Sequence, residues 1–540
     1  MTSRAGTQGS PRVLRSRNML RTTSMVRTPS ALRTLHILSM LRTLPVLLAL
    51  LSLPLGAAAA AAQPADATTE TEPTEETLIR WTDETVRAFA AGELDTAAAL
   101  LDKLIKWQPG NFVHRYNLAC VLSRQGDAEA AAEMLLQAVE FGFSDVNLIR
   151  HDPSLANARE TTTVQSMLEK WGEILDRRVD TDLERARDRY GSKYWYIKDP
   201  DLRLAYVCAY DEQTLDEVKA EIREVHEWAM QNVFAGTDAD DRLVHPDDPW
   251  ILVILPNQAD FRAWAAQTYG PAARSFTQAI GGHYSHDEKQ LVTMDLGATI
   301  RHEFMHVLHW RSNGRRNQMH PVWVQEGLCS LIEDYDRDSA GKLVPVESWR
   351  TNQAQFLAKT GHLLHIRDLC NIPRDRFTSS RPLARYAQSR ALFLFMHREG
   401  KLAEWYAHFT EHFREDPSGV ASLEAVLDGD LDQINDRYAD FCRALPEVPE
   451  EVRRGMASLG VSIDIEGTGE GLRIGARPRR DTGDLRLGDI ITHIEGRPVR
   501  DYYELVRVLT SYEPGQTVTV RYRRARLHRE CEVTLQRSGS

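Results

Sequence analysis

The stretch Thr299–Trp310, T-I-R-H-E-F-M-H-V-L-H-W, decides how the rest of this chain is read. Within it His302, Glu303 and His306 form an H-E-x-x-H pattern in a segment of helical character. Residues four apart on a helix lie one above the other on the same face. His302 and His306 can therefore offer two imidazole nitrogens to one tetrahedral metal ion. Glu303 is turned about 100° away, far enough to miss the metal and close enough to hold a water beside it. A zinc-dependent hydrolase needs that arrangement. With 18 His and 77 acidic residues in 540, chance alone yields about 0.09 such matches, so the motif needs support from its surroundings.

The support comes downstream. Pro321-Val-Trp-Val-Gln-Glu326-Gly-Leu-Cys-Ser-Leu-Ile-Glu333 follows a polar loop expected over Arg311–His320. The spacing lets the first helix finish and a second return the Glu326 carboxylate to the two imidazoles. Two His and one carboxylate leave a fourth position open for water, as catalytic zinc sites do. H-E-F-M-H followed by W-V-Q-E-G-L-C-S-L-I-E resembles the gluzincin metallopeptidases, and among them the bacterial peptidase MA-like members that follow tetratricopeptide repeats. That resemblance implies Zn2+ held by His302, His306 and Glu326, with Glu303 polarising the water and passing its proton to the leaving amine. It also implies that Glu333 hydrogen-bonds one of the ligands. Gluzincins commonly place an oxyanion-stabilising Tyr near the helix that opens at Arg385-Tyr386, which makes Tyr386 the candidate; Tyr284 and a purely structural Tyr386 are the alternatives. His309 and His320 are further possible ligands, with packed or exposed histidine as the default. The G-x-M-x-N segment of gluzincin aminopeptidases is missing, and Gly281-Gly-His-Tyr284 stands in the comparable region. Endopeptidase cleavage is the expectation.

Upstream, Leu204–Tyr210 and Trp250–Leu255 read as strands, and Thr214–Val233 as an amphipathic helix burying Leu215, Val218, Ile222, Val225 and Trp228. Gly281–Tyr284 and Gln290–Leu296 read as a hairpin leading into the H-E-x-x-H helix. An exposed edge there could hold an extended peptide by strand addition. Residues 78–187 are helical in pattern, and the segments beginning at Gly92 and Gly126 match at an offset of 34 residues. That offset resembles tetratricopeptide repeats, which serve as a packing platform or a partner-binding groove.

Residues 63–76 read as an acidic, Pro/Thr-rich disordered linker. Before it, Arg42, an apolar run over Leu44–Leu55 and the alanines Ala57–Ala62 have the form of a secretory signal peptide. Met40 is then the expected true start, and a membrane anchor follows only if the segment stays uncleaved. Residues 1–62 hold eight Arg and no acid, so the remainder has 58 basic against 77 acidic side chains, or −19. So acidic a body is unsuited to general nucleic-acid binding. The six cysteines lack any C-x-x-C pair and read as buried small hydrophobes.

After the proline-broken Pro446–Glu450, the sequences L-x-L-G-D-I-I at Leu485, I-E-G-R-P-V at Ile494 and P-G-Q-T-V-T-V at Pro514 resemble a bacterial protease-type PDZ domain. That resemblance implies a carboxylate-binding loop at Ser458, Leu459, Gly460 and Val461 that captures extended chain ends by strand addition. A PDZ fold that only packs on its neighbour is the plainer alternative. The basic run Arg521–Arg529 reads as a solvated strand–turn face.

The expected fold class is multidomain. It comprises an extension and signal peptide (1–62), a linker (63–76), TPR-like helices (77–190), an α+β thermolysin- or gluzincin-like catalytic domain (191–445) and a small β-rich PDZ domain (455–540). The expected function is a secreted or periplasmic zinc endopeptidase acting on protein or peptide substrates, with partners possible through the repeats and the PDZ domain. The competing class is an inactive peptidase fold acting as a binding scaffold.

Overall fold

The computed structural model describes residues 73–235, 248–269, 281–285, 288–316, 318–476 and 482–539. The signal segment, Met40 and linker residues 63–72 lie outside them. The linker expectation is corrected at its end, because Glu75 opens α1 (Glu75–Ala91) and Thr74 accepts a hydrogen bond from the Thr77 N–H at 3.3 Å. Glu76 sits in the first turn, near the positive end of the helix dipole, so acidity at this point favours order.

Helices α1, α2 (Leu94–Trp107), α3 (Phe112–Gln125) and α4 (Ala128–Glu140) form the repeat region. Gly92 and Gly126 end α1 and α3 with φ of 79° and 93°, a left-handed cap that glycine adopts without strain. Ala97, Ala119, Ala131, Ala132 and Ala138 are fully buried between the helices, where small side chains let the backbones approach. The long helix α5 (Trp171–Tyr190) is shared between two units. Its Trp171 and Leu175 complete the repeat core, while Val179 and Leu183 cover the next sheet.

That sheet runs β1 (Trp195–Asp199), β2 (Leu204–Cys208), β3 (Trp250–Ile254), β5 (Gln290–Thr293), β4 (Gly282–Ser285) in spatial order. The three inner strands are parallel and the two edge strands antiparallel. Period-two alternation divides the inner strands between two cores. Leu204, Tyr206, Leu252 and Ile254 face α6 (Glu212–Asn232) and α7 (Ala298–Arg315). Ala205, Val207, Ile251 and Val253 face α5 and the helix Gln258–Tyr269. All five α6 positions expected to be apolar are buried. The polar loop expected from Arg311 starts later, since α7 continues to Arg315. Arg311 is buried and donates to the carbonyls of Leu202 and Asp248 at 3.1 and 2.8 Å, which anchors the extra turn.

Beyond α7 come α8 (Val322–Leu331), α9 (Trp349–Lys359), α10 (Arg374–Ser379) and α11 (Pro382–Arg398). The C-terminal unit is an antiparallel sheet ordered β10 (Leu527–Thr534), β9 (Thr517–Arg524), β8 (Ile490–Ile494), β7 (Gly471–Ile474), β6 (Ile463–Thr468), with helix α12 (Tyr502–Leu509).

This unit is docked on the central sheet-and-helix unit by arginine–carboxylate pairs and one imidazole–carboxylate contact. Arg507 meets Asp334, Arg497 meets Asp336 and Arg521 meets Glu217, each at 3.0 Å; His528 meets Asp211 at 2.8 Å. One buried pair has the reverse polarity: Arg301 of α7 and Glu504 of α12, 2.8 Å apart. The Leu296 N–H donates to the Gly469 carbonyl at 3.0 Å. The expectation of a solvated Arg521–Arg529 face is corrected at Arg521 and His528, which meet Glu217 and Asp211 on and just before α6, and holds at the exposed Arg526 and Arg529.

Candidate metal centre

The turn before α7 sets its direction. Asp295 accepts hydrogen bonds from the Gly297 N–H at 2.7 Å and the Thr299 hydroxyl at 2.6 Å. From there His302, Glu303 and His306 project into a site where all three are almost fully buried. Helix α8 brings Glu326 to the same point. Its Oε2 lies 3.4 Å from His302 Nε2 and 3.7 Å from His306 Nε2. Ligands of a tetrahedral zinc at the usual bond lengths are separated by about 3.3 Å. Glu326 Oε2 and Glu303 Oε1 are buried atoms without a protein hydrogen-bond partner, a costly state unless something else meets them. The donor set and the two orphaned oxygens fit a divalent cation and a water.

Glu333 reaches the site although α8 ends at Leu331. Its Oε1 lies 2.8 Å from His302 Nδ1, and Arg350 grips both its oxygens at 2.5 and 2.8 Å. An ionised carboxylate only accepts, so Nδ1 carries the proton and Nε2 is left as the ligating nitrogen. Arg350, at the start of α9, was not foreseen from sequence. The signal was slight: an arginine just inside a helix, behind a serine cap.

The other sequence candidates separate clearly. Tyr386 is buried and hydrogen-bonds Glu326. Tyr284, on edge strand β4, stacks on His306 with ring centres 4.6 Å apart and planes 8° apart. Both tyrosines therefore touch a candidate ligand. Strand β4 also runs beside the Glu303 carboxylate, since a Cβ on Gly282 would stand 3.0 Å from Glu303 Cγ. His309 and His320 instead bond each other at 2.7 Å, and His320 packs against Phe409. Cys329, one turn beyond Glu326, is buried as expected, and its Sγ lies within 4.8 Å of imidazole nitrogens of His302 and His306. All six cysteines are free. In the PDZ segment, Leu459 is buried in that domain's core, Ser458 pairs with Gln536 in a short ladder, and Gly460 N–H donates to Ser458 Oγ at 3.1 Å. Ser458–Val461 thus precedes β6, at the opposite end of that strand from Gly469.

Without a metal the charges divide unevenly. Burial pushes His302 down, but the carboxylates of Glu326 and Glu333 outweigh it and raise its pKa to about 10. Burial lowers His306 to about 3. Burial also favours the neutral acids, yet His302 and His306 hold Glu326 near 2, and Arg350 with His302 holds Glu333 near 2. For Glu303 burial outweighs the pull of His302 and, with the carboxylates of Glu326 and Glu333 nearby, raises its pKa to about 7. At neutral pH the metal-free form thus carries one imidazolium at His302. Uptake of a metal there would expel that proton. Zinc binding at pH 7, followed by calorimetry in buffers of different ionisation enthalpy, is expected to release about one proton. Affinity should rise roughly tenfold per pH unit between about 7 and 9. A pH-independent affinity would contradict a protonated His302.

A family model for the PDZ domain matches residues 474–535, and one for the tetratricopeptide repeat matches residues 88–147. No curated protein matches the chain. Among solved structures, one described as an aminopeptidase N family protein from Idiomarina loihiensis aligns at 12% identity over 64% of this chain and 67% of that one. Its TM-score of 0.25 is too low to bear on fold or reaction. The chain is a multidomain protein with a tetratricopeptide-repeat region and a PDZ domain, flanking a sheet-and-helix unit that holds the His302–His306–Glu326 cluster.

Proposed function

We propose that this chain is a zinc metallopeptidase of the gluzincin type, acting as an endopeptidase outside the cytoplasm. One observation carries the reading. His302, His306 and Glu326 converge at ligand spacing beside a Glu303 oxygen that no protein group meets. Zn2+ bound there would supply a Lewis acid and an acidified water at neutral pH. Glu303, buried beside the cluster with its Oε1 unmet by any protein group, is placed to take a proton from that water and return it to the leaving amine. Tyr386 stays protonated, because burial and then Glu326 raise its pKa, so it can donate to a developing oxyanion. Arg350 and Glu333 hold the His302 ring in place. Strand β4 offers an edge along which an extended peptide can lie past Glu303.

The PDZ domain would bind extended chain ends, with Ser458–Val461 as its carboxylate loop. Export rests on the signal-like segment 40–62.

Glu326 and Cys329 compete as third donors. Burial, with Glu326, Glu303 and Glu333 nearby, pushes the Cys329 thiol well up, while Glu326 is ionised. The carboxylate is therefore the ligand. Glu326→Ala is expected to weaken zinc binding about 100-fold or more, whereas Cys329→Ala should leave it within about twofold. Competition with a chromophoric chelator measures both. The reverse ranking would sink the assigned ligand set.

A further inference from the structure

One side of the metal centre carries cations that the mechanism does not use. Residues 374–385 contain Arg374, Arg376, Arg381 and Arg385 but a single acid, Asp375. Helix α10 packs this segment beside the site, with the Phe377 ring centre 5.6 Å from that of Tyr386. Arg374 hydrogen-bonds Gln325 at 2.9 Å, next to the ligand Glu326. Its charge acts on Glu326, His306, Tyr284 and Tyr386 together. Arg385 precedes Tyr386, and its Nη1 is a buried atom without a hydrogen-bond partner. Burial, then the nearby charges of Arg376 and Arg381, make its own charge harder to hold.

The contrast with other arginines of the same domain is plain. Arg350 is held by Glu333, Arg398 by Glu347 and Arg337 by Glu224. Among the described residues none of the four rim arginines is in an ion pair, in a chain whose net charge is −11. Clustered like charges repel, and a partly buried cation without a counterion is unfavourable. A carboxylate arriving with the substrate would relieve both costs.

We infer that this rim selects anionic peptides, taking a substrate carboxylate against Arg374, Arg376 and Arg385 beside the scissile bond. The carboxylate is either an Asp or Glu side chain or the free chain end of a short peptide. The inference rests on the zinc-peptidase reading above, and it gives that site a substrate class.

The test uses the full chain, zinc-loaded, as wild type and as Glu303→Gln to hold substrates uncleaved. The probes are alanine-based hexapeptides with one Glu or Gln walked through the sequence, each made with a C-terminal amide or a free acid. Calorimetry on the Glu303→Gln protein should give, at one or two positions, binding about tenfold tighter for Glu than for Gln at about 50 mM salt. The preference should shrink toward unity at about 500 mM salt, where charges are screened. It should vanish when Arg374→Gln, Arg376→Gln and Arg385→Gln are combined, with melting temperature and zinc content checked for each protein. A gain confined to the free acids identifies the chain end as the source; a gain in the amides identifies the side chain. Equal binding of all peptides within about twofold, or a preference that survives the arginine changes, overturns the inference. Wild-type cleavage without acidic preference sinks this inference alone. Selective binding without any wild-type cleavage sinks the peptidase reading and leaves the anion-selective rim standing.

Discussion

Glu303→Gln protein, purified with its metal, is expected to hydrolyse peptides about 10²- to 10⁴-fold more slowly than wild type, with zinc stoichiometry unchanged. Glutamine matches glutamate in volume but has no basic oxygen to accept a proton from water. Glu303 is turned about 100° from His302 around the helix, and its Oε1 meets no protein group, so the exchange breaks no protein bond at that atom. The two effects therefore separate, with chemistry lost and metal retained. Stability should move the other way. Burial raises the folded pKa of Glu303 above its ordinary 4.5 to about 7. The unfolded chain releases that proton at lower pH than the folded chain does. The ionisation of Glu303 therefore costs the apo protein stability as pH rises from about 4.5 to 7, and the cost persists above that. Apo Glu303→Gln should accordingly melt higher than apo wild type at pH 8 and close to it at pH 4. Steady-state kinetics, metal analysis and melting curves check the three parts. Peptide hydrolysis at the wild-type rate would remove Glu303 from the mechanism.

What could be read in the sequence was what is written in local period. The H-E-x-x-H spacing, the amphipathic period of α6, and the 34-residue offset between the segments that begin at Gly92 and Gly126 are such signals. Glu326 and Glu333 were also legible, the latter although its helix stops at Leu331. The contacts that organise the site from outside it were not. Arg350 reaches Glu333 from a helix that follows a two-stranded hairpin, and Arg301 reaches Glu504 across 203 residues. No periodicity records such pairs, because electrostatic partners are chosen by the fold after both elements exist. The same reason explains Arg521 and His528, whose basic surroundings looked solvated until Glu217 and Asp211 were found opposite. Arg301 itself left one trace: a cation in a helical run whose neighbours Ile300, His302 and Phe304 are all buried.

That arginine yields the second large effect. Arg301 is fully buried and donates to Glu221 at 2.6 Å, to Glu504 at 2.8 Å and to the Glu333 carbonyl through Nε at 3.2 Å and Nη2 at 2.6 Å. Arg301→Met would leave Glu221 and Glu504 as buried carboxylates without their cation. Breaking a buried pair in this way costs about 3–5 kcal/mol, far more than the pair contributes over an apolar replacement. Loss of stability alone would say nothing about the metal. The triple variant Arg301→Met, Glu221→Gln, Glu504→Gln removes the stranded charges and should recover most of the stability. It does not restore the two bonds to the Glu333 carbonyl. With that residue less firmly held, the carboxylate that orients His302 loses its footing, and zinc affinity should stay about 10- to 100-fold below wild type. Chelator competition at pH 8 measures it, with melting curves confirming that the triple variant is folded. If the triple variant regains both stability and wild-type zinc affinity, Arg301 is only an internal ion of the fold. If stability returns and affinity does not, the PDZ helix that supplies Glu504 is tied to the geometry of the metal centre through one side chain.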